Sequence, residues 1–327
     1  MVCYWHDPPA NSPTQACWMD FIVSEPALFE GTLAANTRHW SPDPASQRRA
    51  DDHVSRAISL VIDRIQKGSA HTDGILAAVA TLAFGESLLR NEAAWQLHMD
   101  GLAQVLQDRR SKGLWELPEW FTGLLIIVFP ANVGEQLHYH GNSELSRVVV
   151  IGSRLAQLRH MLENYHERAD HQDIPVNEIN STVRELHIAA QFLGSSSSPY
   201  VRVASLAIEL YLHFSWPEQP SADLSSLARR LKDALRQLPI KPCPYMDLTS
   251  TSFVLGLVAA EHDSETRLWF LSRLRAVVAD MESRGWTRPL QHLERAIESD
   301  QRLAARFKAI WDDAKDWVPP SDFSYNR

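Results

Sequence analysis

The stretch that begins near Asp73 restricts the fold of this chain more than any other. Its residues, ILAAVATLAF, are apolar on nearly every side of a helix, so almost no face is left for water. A helix of this kind has to be surrounded by other elements. The polar pair Arg90-Asn91 then predicts a turn, and a second helical pattern follows it. We therefore expect a buried helical hairpin over residues 72–112.

The rest of the sequence repeats the helical pattern. In the second helix of the hairpin, Trp95, Met99, Leu102 and Leu106 form one apolar stripe. Further runs with this spacing follow along the chain, and glycines or prolines end many of them. No alternating strand pattern lasts more than a few residues. The sequence predicts an all-α fold, a single large domain of about a dozen helices around the hairpin.

Composition changes suggest where this domain begins and ends. Residues 1–23 combine aromatic side chains with prolines, and we expect them to be mostly extended. The helical domain is predicted to cover residues 24–317, with a tail at 318–327. Inside it, the run GSSSSP at residues 194–199 predicts a flexible corner.

Charge and cysteine content exclude several classes of protein. The formal net charge of −8 argues against a chain built mainly to bind phosphate backbones. The 3 cysteines are widely spaced, which fits reduced thiols better than a disulfide framework. No signal peptide is recognisable, and the most apolar run, residues 123–129, is too short to cross a bilayer. We expect a protein of the nucleus or cytoplasm without membrane contact.

Three polar or amphipathic residues of the hairpin stand among apolar neighbours. Glu86, Trp95 and His98 are the residues concerned. Buried polar groups need hydrogen-bond partners, so these side chains either bond one another or line a cavity. The sequence has no G-x-S-x-G element and no glycine-rich phosphate loop, so neither a nucleophile nor a nucleotide site is indicated.

One loop contains a pattern that is typical of metal ligands. In GEQLHYHGNSE, the side chains of His138, His140 and Glu144 are spaced somewhat like the metal ligands of cupin barrels. The spacing before the first histidine is short, no second motif follows, and the flanks are helical rather than strand-like. We interpret the segment as a solvated loop between helices and predict neither a metal nor a cofactor.

Three blocks of the sequence together point to a known family. The first is EPALFEGTLAANTRHW, and the second is the apolar helix ending in Glu86 followed by W-x-x-H-x-x-G at Trp95, His98 and Gly101. The third is SFVLGLVAAEHDSETRLWFLSRL, which includes Arg267, and the terminal helix with Trp311 also fits. In this order and spacing, residues 20–315 resemble the regulatory middle region of fungal-specific transcription factors.

The resemblance implies a regulatory function. Members of that family usually begin with a zinc binuclear cluster, in which six cysteine thiolates hold two zinc ions, and Cys3, Cys17 and Cys243 cannot build one. The resemblance therefore implies a transcription regulator without its own DNA-binding module, in the context of a fungal biosynthetic pathway. It would act as a co-regulator, or respond to a small-molecule effector or another transcription factor, and no direct contact with nucleic acid is expected.

Five residues are predicted to lie near the cavity of such a regulator: Glu86, Trp95, His98 and Arg267, with Trp115 as a wall. Two other interpretations remain open. Glu86 and His98 can serve as the acid–base pair of a biosynthetic enzyme built on the same helices. Alternatively, the chain is an interaction protein that binds no ligand. We expect no catalytic residues under the regulatory interpretation.

Overall fold

The computed structural model describes residues 13–40, 43–89, 91–114, 143–167, 176–216, 223–238, 247–283, 285–286, 290 and 301–313. Within these ranges the regular structure is entirely α-helical, with 12 helices, which confirms the predicted fold class. The helices fall into two compact units, which are described separately below. None of the helices in the described ranges is long and apolar enough to cross a membrane.

The first unit contains helices α1 to α5. These helices are α1 (Pro13–Ser24), α2 (Pro26–Trp40), α3 (Pro44–Gln66), α4 (Asp73–Leu88) and α5 (Glu92–Ser111). Helix α2 packs against α3 and α4, and α4 packs against α5. The predicted hairpin is therefore confirmed, with α4 at its centre. Nearly every side chain of α4 from Ile75 to Glu86 is buried, as its apolar composition requires.

Caps and left-handed residues set the ends of these helices. Asp43 precedes α3 and accepts a hydrogen bond from the Ser46 N–H at 2.8 Å, while Pro44 occupies the first turn, where no N–H is needed. Beyond the C-terminal end of α3, Gly68 has a backbone φ of +72°, a conformation that residues with a Cβ rarely adopt. These local signals allow a sharp reversal of the chain between α3 and α4.

The N-terminal segment differs from the expectation of extended chain. Residues 1–12 lie outside the described part of the chain, but Pro13–Ser24 form α1, which packs against α2. Pro13 is the first residue of this helix, a position that tolerates proline, and TQACWMDFIV contains no helix breaker. The prolines that suggested extended chain all precede the helix or begin it.

The second unit contains α6 to α12. These helices are α6 (Ser143–Glu167), α7 (Val176–Gly194), α8 (Pro199–Ser215), α9 (Leu224–Arg236), α10 (Asp247–Ala259), α11 (Glu265–Ser283) and α12 (Gln301–Asp313). Of α11, the residues up to Val278 belong to this unit. Helix α8 is central and packs against α7, α9 and α10. An aromatic cluster joins α10 to α11, where the ring centroid of Phe253 on α10 lies 5.6 Å from that of Trp269 and 5.7 Å from that of Phe270, both on α11.

The serine-rich corner of this unit has a defined structure. Helix α7 ends at Gly194 and α8 begins at Pro199. Arg202 Nη1 donates hydrogen bonds to the carbonyl oxygens of Ser196 and Ser197, both at 2.9 Å. The Ser196 side chain is buried. The corner predicted from composition therefore lies at the expected place and is tied to the first turn of α8.

Candidate functional site

The central feature of the first unit is a buried ion pair that joins three helices. Arg38 on α2 donates from Nη1 to Glu86 Oε1 on α4 at 2.6 Å and from Nη2 to Asp51 Oδ1 on α3 at 2.5 Å. The side chains of Arg38 and Glu86 are 10% and 6% exposed, whereas that of Asp51 is 64% exposed. Burial lowers the pKa of Arg38, but the hydrogen bonds to Asp51 and Glu86 outweigh it and raise the pKa above its ordinary value. Arg38 therefore remains a cation that links α2, α3 and α4.

The turn of the hairpin is attached to the same carboxylate. Asn91 donates from Nδ2 to Glu86 Oε2 at 2.8 Å, and its backbone N–H donates to the Glu86 carbonyl oxygen at 3.0 Å. Its Oδ1 accepts from the Ala94 N–H at 3.4 Å and so caps α5. Both carboxylate oxygens of Glu86 thus have a donor, one from α2 and one from the hairpin turn.

His98 on α5 lies within the electrostatic reach of this ion pair. Burial lowers the pKa of the His98 imidazole, the Glu86 carboxylate opposes the shift, and the Arg38 guanidinium adds to it. His98 is therefore neutral at pH 7, with one ring nitrogen as a donor and the other as an acceptor. Its side chain is half-buried, because one part of it reaches a groove on the surface of the unit.

This groove, which we call the α3–α5 groove, has a volume of about 400 Å³. Helix α3 contributes Ile58, Val61, Ile62 and Ile65 to it, α4 contributes Val79 and Leu82, and α5 contributes Leu97, His98, Gly101, Gln104, Val105 and Asp108. Lys112, which follows α5, and Gly68 and Ala70, between α3 and α4, complete the lining. Most of these side chains are apolar. The volume falls in the range of about 300–1,000 Å³ that is typical of small-molecule sites, and such sites have few polar groups.

The polar end of the α3–α5 groove is internally paired. Lys112 Nζ donates to Asp108 Oδ2 at 2.9 Å and to the Gly68 carbonyl oxygen at 3.3 Å, and it lies 2.8 Å from His71 Nδ1. Nearby, Arg109 Nη1 donates to the His71 carbonyl oxygen at 2.6 Å and to Asp73 Oδ1 at 2.7 Å. The cations at this end of the groove are thus engaged with groups of the protein.

The five predicted site residues do not all lie together. Glu86 and His98 interact electrostatically, and His98 also lines the α3–α5 groove. Trp95 is half-buried on α5 and is not among the described side chains that line the groove. Trp115 lies outside the described residues. Arg267 is on α11 in the second unit, where its backbone N–H donates to Ser264 Oγ at 3.1 Å, and its place at a cavity stays a prediction.

The geometry bears on the acid–base alternative as well. Because Glu86 Oε1 and Oε2 accept from Arg38 and Asn91, its carboxylate is held as a structural anion. Glu86 is also not among the described residues that line the groove. The possible metal ligands of the sequence were His138, His140 and Glu144. Of these, His138 and His140 lie outside the described residues, and Glu144 is in the first turn of α6.

Sequence reasoning did not find the partners that complete the site. Arg38 lies 48 residues before Glu86, and no local spacing connects them. The one available signal is chemical, since a carboxylate on an apolar helix needs a cation and α2 ends in the sequence TRHW. The groove walls on α3 were also missed, because Ile58 and Ile65 fit the same helical stripe as the buried Ala57 and Val61.

Comparison with known families supports the resemblance seen in the sequence. Residues 2–127 match the model of the fungal specific transcription factor domain. This match includes all of α1 to α5, the ion pair and the α3–α5 groove, and the first two of the three blocks described above, so the resemblance is confirmed for this part of the chain. It indicates a role in the regulation of transcription. Comparisons with curated proteins and with solved structures give no match.

Proposed function

We infer that this chain is a regulatory domain of transcription that acts as a co-regulator and responds to a small-molecule effector or a partner factor. The observation that carries this proposal is the match of residues 2–127 to a fungal specific transcription factor domain, because the matched residues contain the α3–α5 groove. Such a regulator works in the nucleus or the cytoplasm, and a fungal biosynthetic pathway is the context that the family favours.

The structure supports a mechanism in which occupancy of the groove shifts the packing of α2 to α5. His98 lines the groove and interacts electrostatically with the Arg38–Glu86 pair, and Arg38 joins α2, α3 and α4. A ligand changes such an equilibrium only if it binds one packing more tightly than the other. Contact with His98 provides this difference, because it changes the surroundings of the ion pair that holds the three helices.

The proposal places DNA binding outside residues 1–327. A zinc binuclear cluster needs six thiolates, and this sequence has 3 cysteines, Cys3, Cys17 and Cys243. The net charge of −8 also disfavours a broad contact with phosphates. A mobility-shift assay with the full chain and duplex DNA should therefore show no complex at about 0.15 M salt, and a salt-sensitive complex would contradict this part of the proposal.

Fusion of the full chain to an unrelated DNA-binding module tests the regulatory role. In a fungal reporter strain, the fusion should change transcription relative to the DNA-binding module alone. The Glu86→Ala variant should lose most of this effect, because it removes the acceptor of Arg38 and Asn91. The Asp63→Ala variant is the matched control, since it removes an exposed carboxylate of α3 whose partner, Lys67, directly follows the same helix. A folded fusion that neither activates nor represses transcription of the reporter would refute the proposed function.

A further inference from the structure

We propose that the α3–α5 groove binds an uncharged, largely apolar small molecule that forms one hydrogen bond with His98. The inference rests on the proposed function only for its regulatory consequence, and the binding itself is tested separately.

The walls of the groove expose apolar side chains that lack cover within the described part of the chain. Ile62 and Ile65 on α3 are 48% and 50% exposed, and Leu97 on α5 is 73% exposed. All three line the same groove. Contiguous apolar surface of this kind marks a ligand or partner site more often than it marks an inert surface. A ligand that covers these side chains gains hydrophobic free energy from each of them.

The size of the groove favours a small molecule. The apolar wall on α3 runs from Ile58 to Ile65, which corresponds to about 10 Å along the helix axis at about 1.5 Å per residue. The groove volume of about 400 Å³ is near the lower end of known small-molecule sites. The pair of Lys112 and Asp108 lines one end. These limits suit one compact molecule better than an extended peptide.

The charges around the groove disfavour an ionic ligand. Lys112 is its one lining cation among the described residues, and its ammonium group already contacts Asp108, Gly68 and His71. The lining anion, Asp108, is in turn paired with Lys112. His98 is neutral because burial lowers its pKa, although Glu86 acts in the opposite direction. A carbonyl or hydroxyl group on the ligand matches this imidazole, whereas a charged group would lose its hydration without a partner.

Gly101 keeps the floor of the groove open and provides the variant for a test. A Cβ added at Gly101 would have Val79 Cγ1 as its nearest neighbour at 3.9 Å, which is ordinary contact. Alanine at this position therefore fits, and leucine extends into the groove. Both replacements favour helix formation relative to glycine, so neither is expected to unfold α5. Gly101→Leu blocks the groove, and Gly101→Ala is its matched control.

The affinity of the groove is measured by fluorescence titration of the full chain with Nile red, an uncharged dye that carries a carbonyl acceptor. We expect saturable binding to one site in the wild type and in Gly101→Ala, and binding at least about tenfold weaker in Gly101→Leu. His98→Phe keeps an aromatic ring but removes the hydrogen bond, and it should weaken binding by about threefold to tenfold. The anionic dye anilinonaphthalene sulfonate should not displace Nile red.

Other results overturn the proposal. Equal binding of Nile red to the Gly101→Leu and Gly101→Ala variants would place the dye elsewhere, and displacement by the anionic dye would refute the charge argument. If Gly101→Leu loses a protein partner while both variants bind the dye equally, the groove is a protein interface. If the dye binds as expected but fusions of the two variants give the same reporter output, the site stands and effector-driven regulation is refuted.

Discussion

Replacing Glu86 with glutamine tests whether the buried ion pair holds α2, α3 and α4 together. The Glu86 side chain is 6% exposed, and its oxygens accept from Arg38 and Asn91. Glutamine keeps the shape but removes the charge, and its amide NH₂ faces one of these donors. Hydrogen bonds to charged groups contribute about 1.5–3 kcal/mol, and loss of a buried partner costs about 3–5 kcal/mol. Because Arg38 keeps Asp51, we expect the free energy of unfolding of the first unit to fall by about 2–3 kcal/mol.

Asp51→Asn is the matched control because it changes the other partner of the same guanidinium. Arg38 Nη2 and Asp51 Oδ1 are 2.5 Å apart, yet the Asp51 side chain is 64% exposed. Solvent screens such a pair, and surface ion pairs contribute about 0–1 kcal/mol. The two substitutions therefore differ mainly in the burial of the carboxylate, and Asp51→Asn should destabilise the unit by less than about 1 kcal/mol.

Native-state hydrogen exchange is the appropriate measurement, because it reports the opening free energy of individual helices separately. The slowest amides of α2 and α4 report the opening free energy of the first unit, and those of α8 in the second unit serve as an internal reference. Equal losses in Glu86→Gln and Asp51→Asn would refute the argument that burial determines the strength of the pair. A loss confined to Asp51→Asn would refute it more directly.

Two glycines test packing inside the helices, and two histidines test the pH dependence of stability. Gly256→Ala places a carbon 2.2 Å from the fully buried ring of Phe270, so urea unfolding should show that the free energy of unfolding falls by about 1–3 kcal/mol. In the control Gly85→Ala the added carbon lies 3.8 Å from its nearest neighbour, and the free energy of unfolding should rise by up to about 1 kcal/mol. A loss of stability in both variants would contradict the packing argument. The rings of His187 and His213 have centroids 4.7 Å apart, and burial lowers the pKa of both below 6.5, His213 adding to the shift of His187. The unfolded state then binds more protons, so stability falls as pH decreases from about 6.5 towards the folded pKa values. Urea titrations at several pH values should show a smaller slope after replacement of both histidines by glutamine, and an unchanged slope would refute this assignment.

The helical architecture was predictable because its strongest signals are local. The apolar composition of α4 required burial, and Gly68 and Gly113, both with positive φ, end α3 and α5 where the sequence suggested. The N-terminal expectation differed from the structure for a local reason too. Proline was treated as a breaker at Pro13, although the first turn of a helix tolerates it.

The candidate site was only partly predictable because its partners are distant in sequence. Glu86 and His98 are both on the hairpin, and their proximity followed from its geometry. Arg38 and Asp51 come from α2 and α3, and single-sequence patterns carry no information on which charged residues face each other across helices. The groove was missed for the same reason, because it depends on how helices face each other. The apolar stripe of α3 is wider than the face that α2 and α4 cover, so Ile62 remains exposed.

The spacing of Trp95, His98 and Gly101 explains why the histidine, rather than its neighbours, connects the groove with the ion pair. Residues three apart on an α-helix are offset by about 60° around the axis, so Trp95 and Gly101 lie on opposite sides of His98. Gly101 lines the groove, and His98 both lines it and interacts electrostatically with the Arg38–Glu86 pair. Trp95, on the far side, is not among the described lining residues. Of the three residues of the pattern W-x-x-H-x-x-G, His98 is therefore the one that both lines the groove and interacts electrostatically with the ion pair.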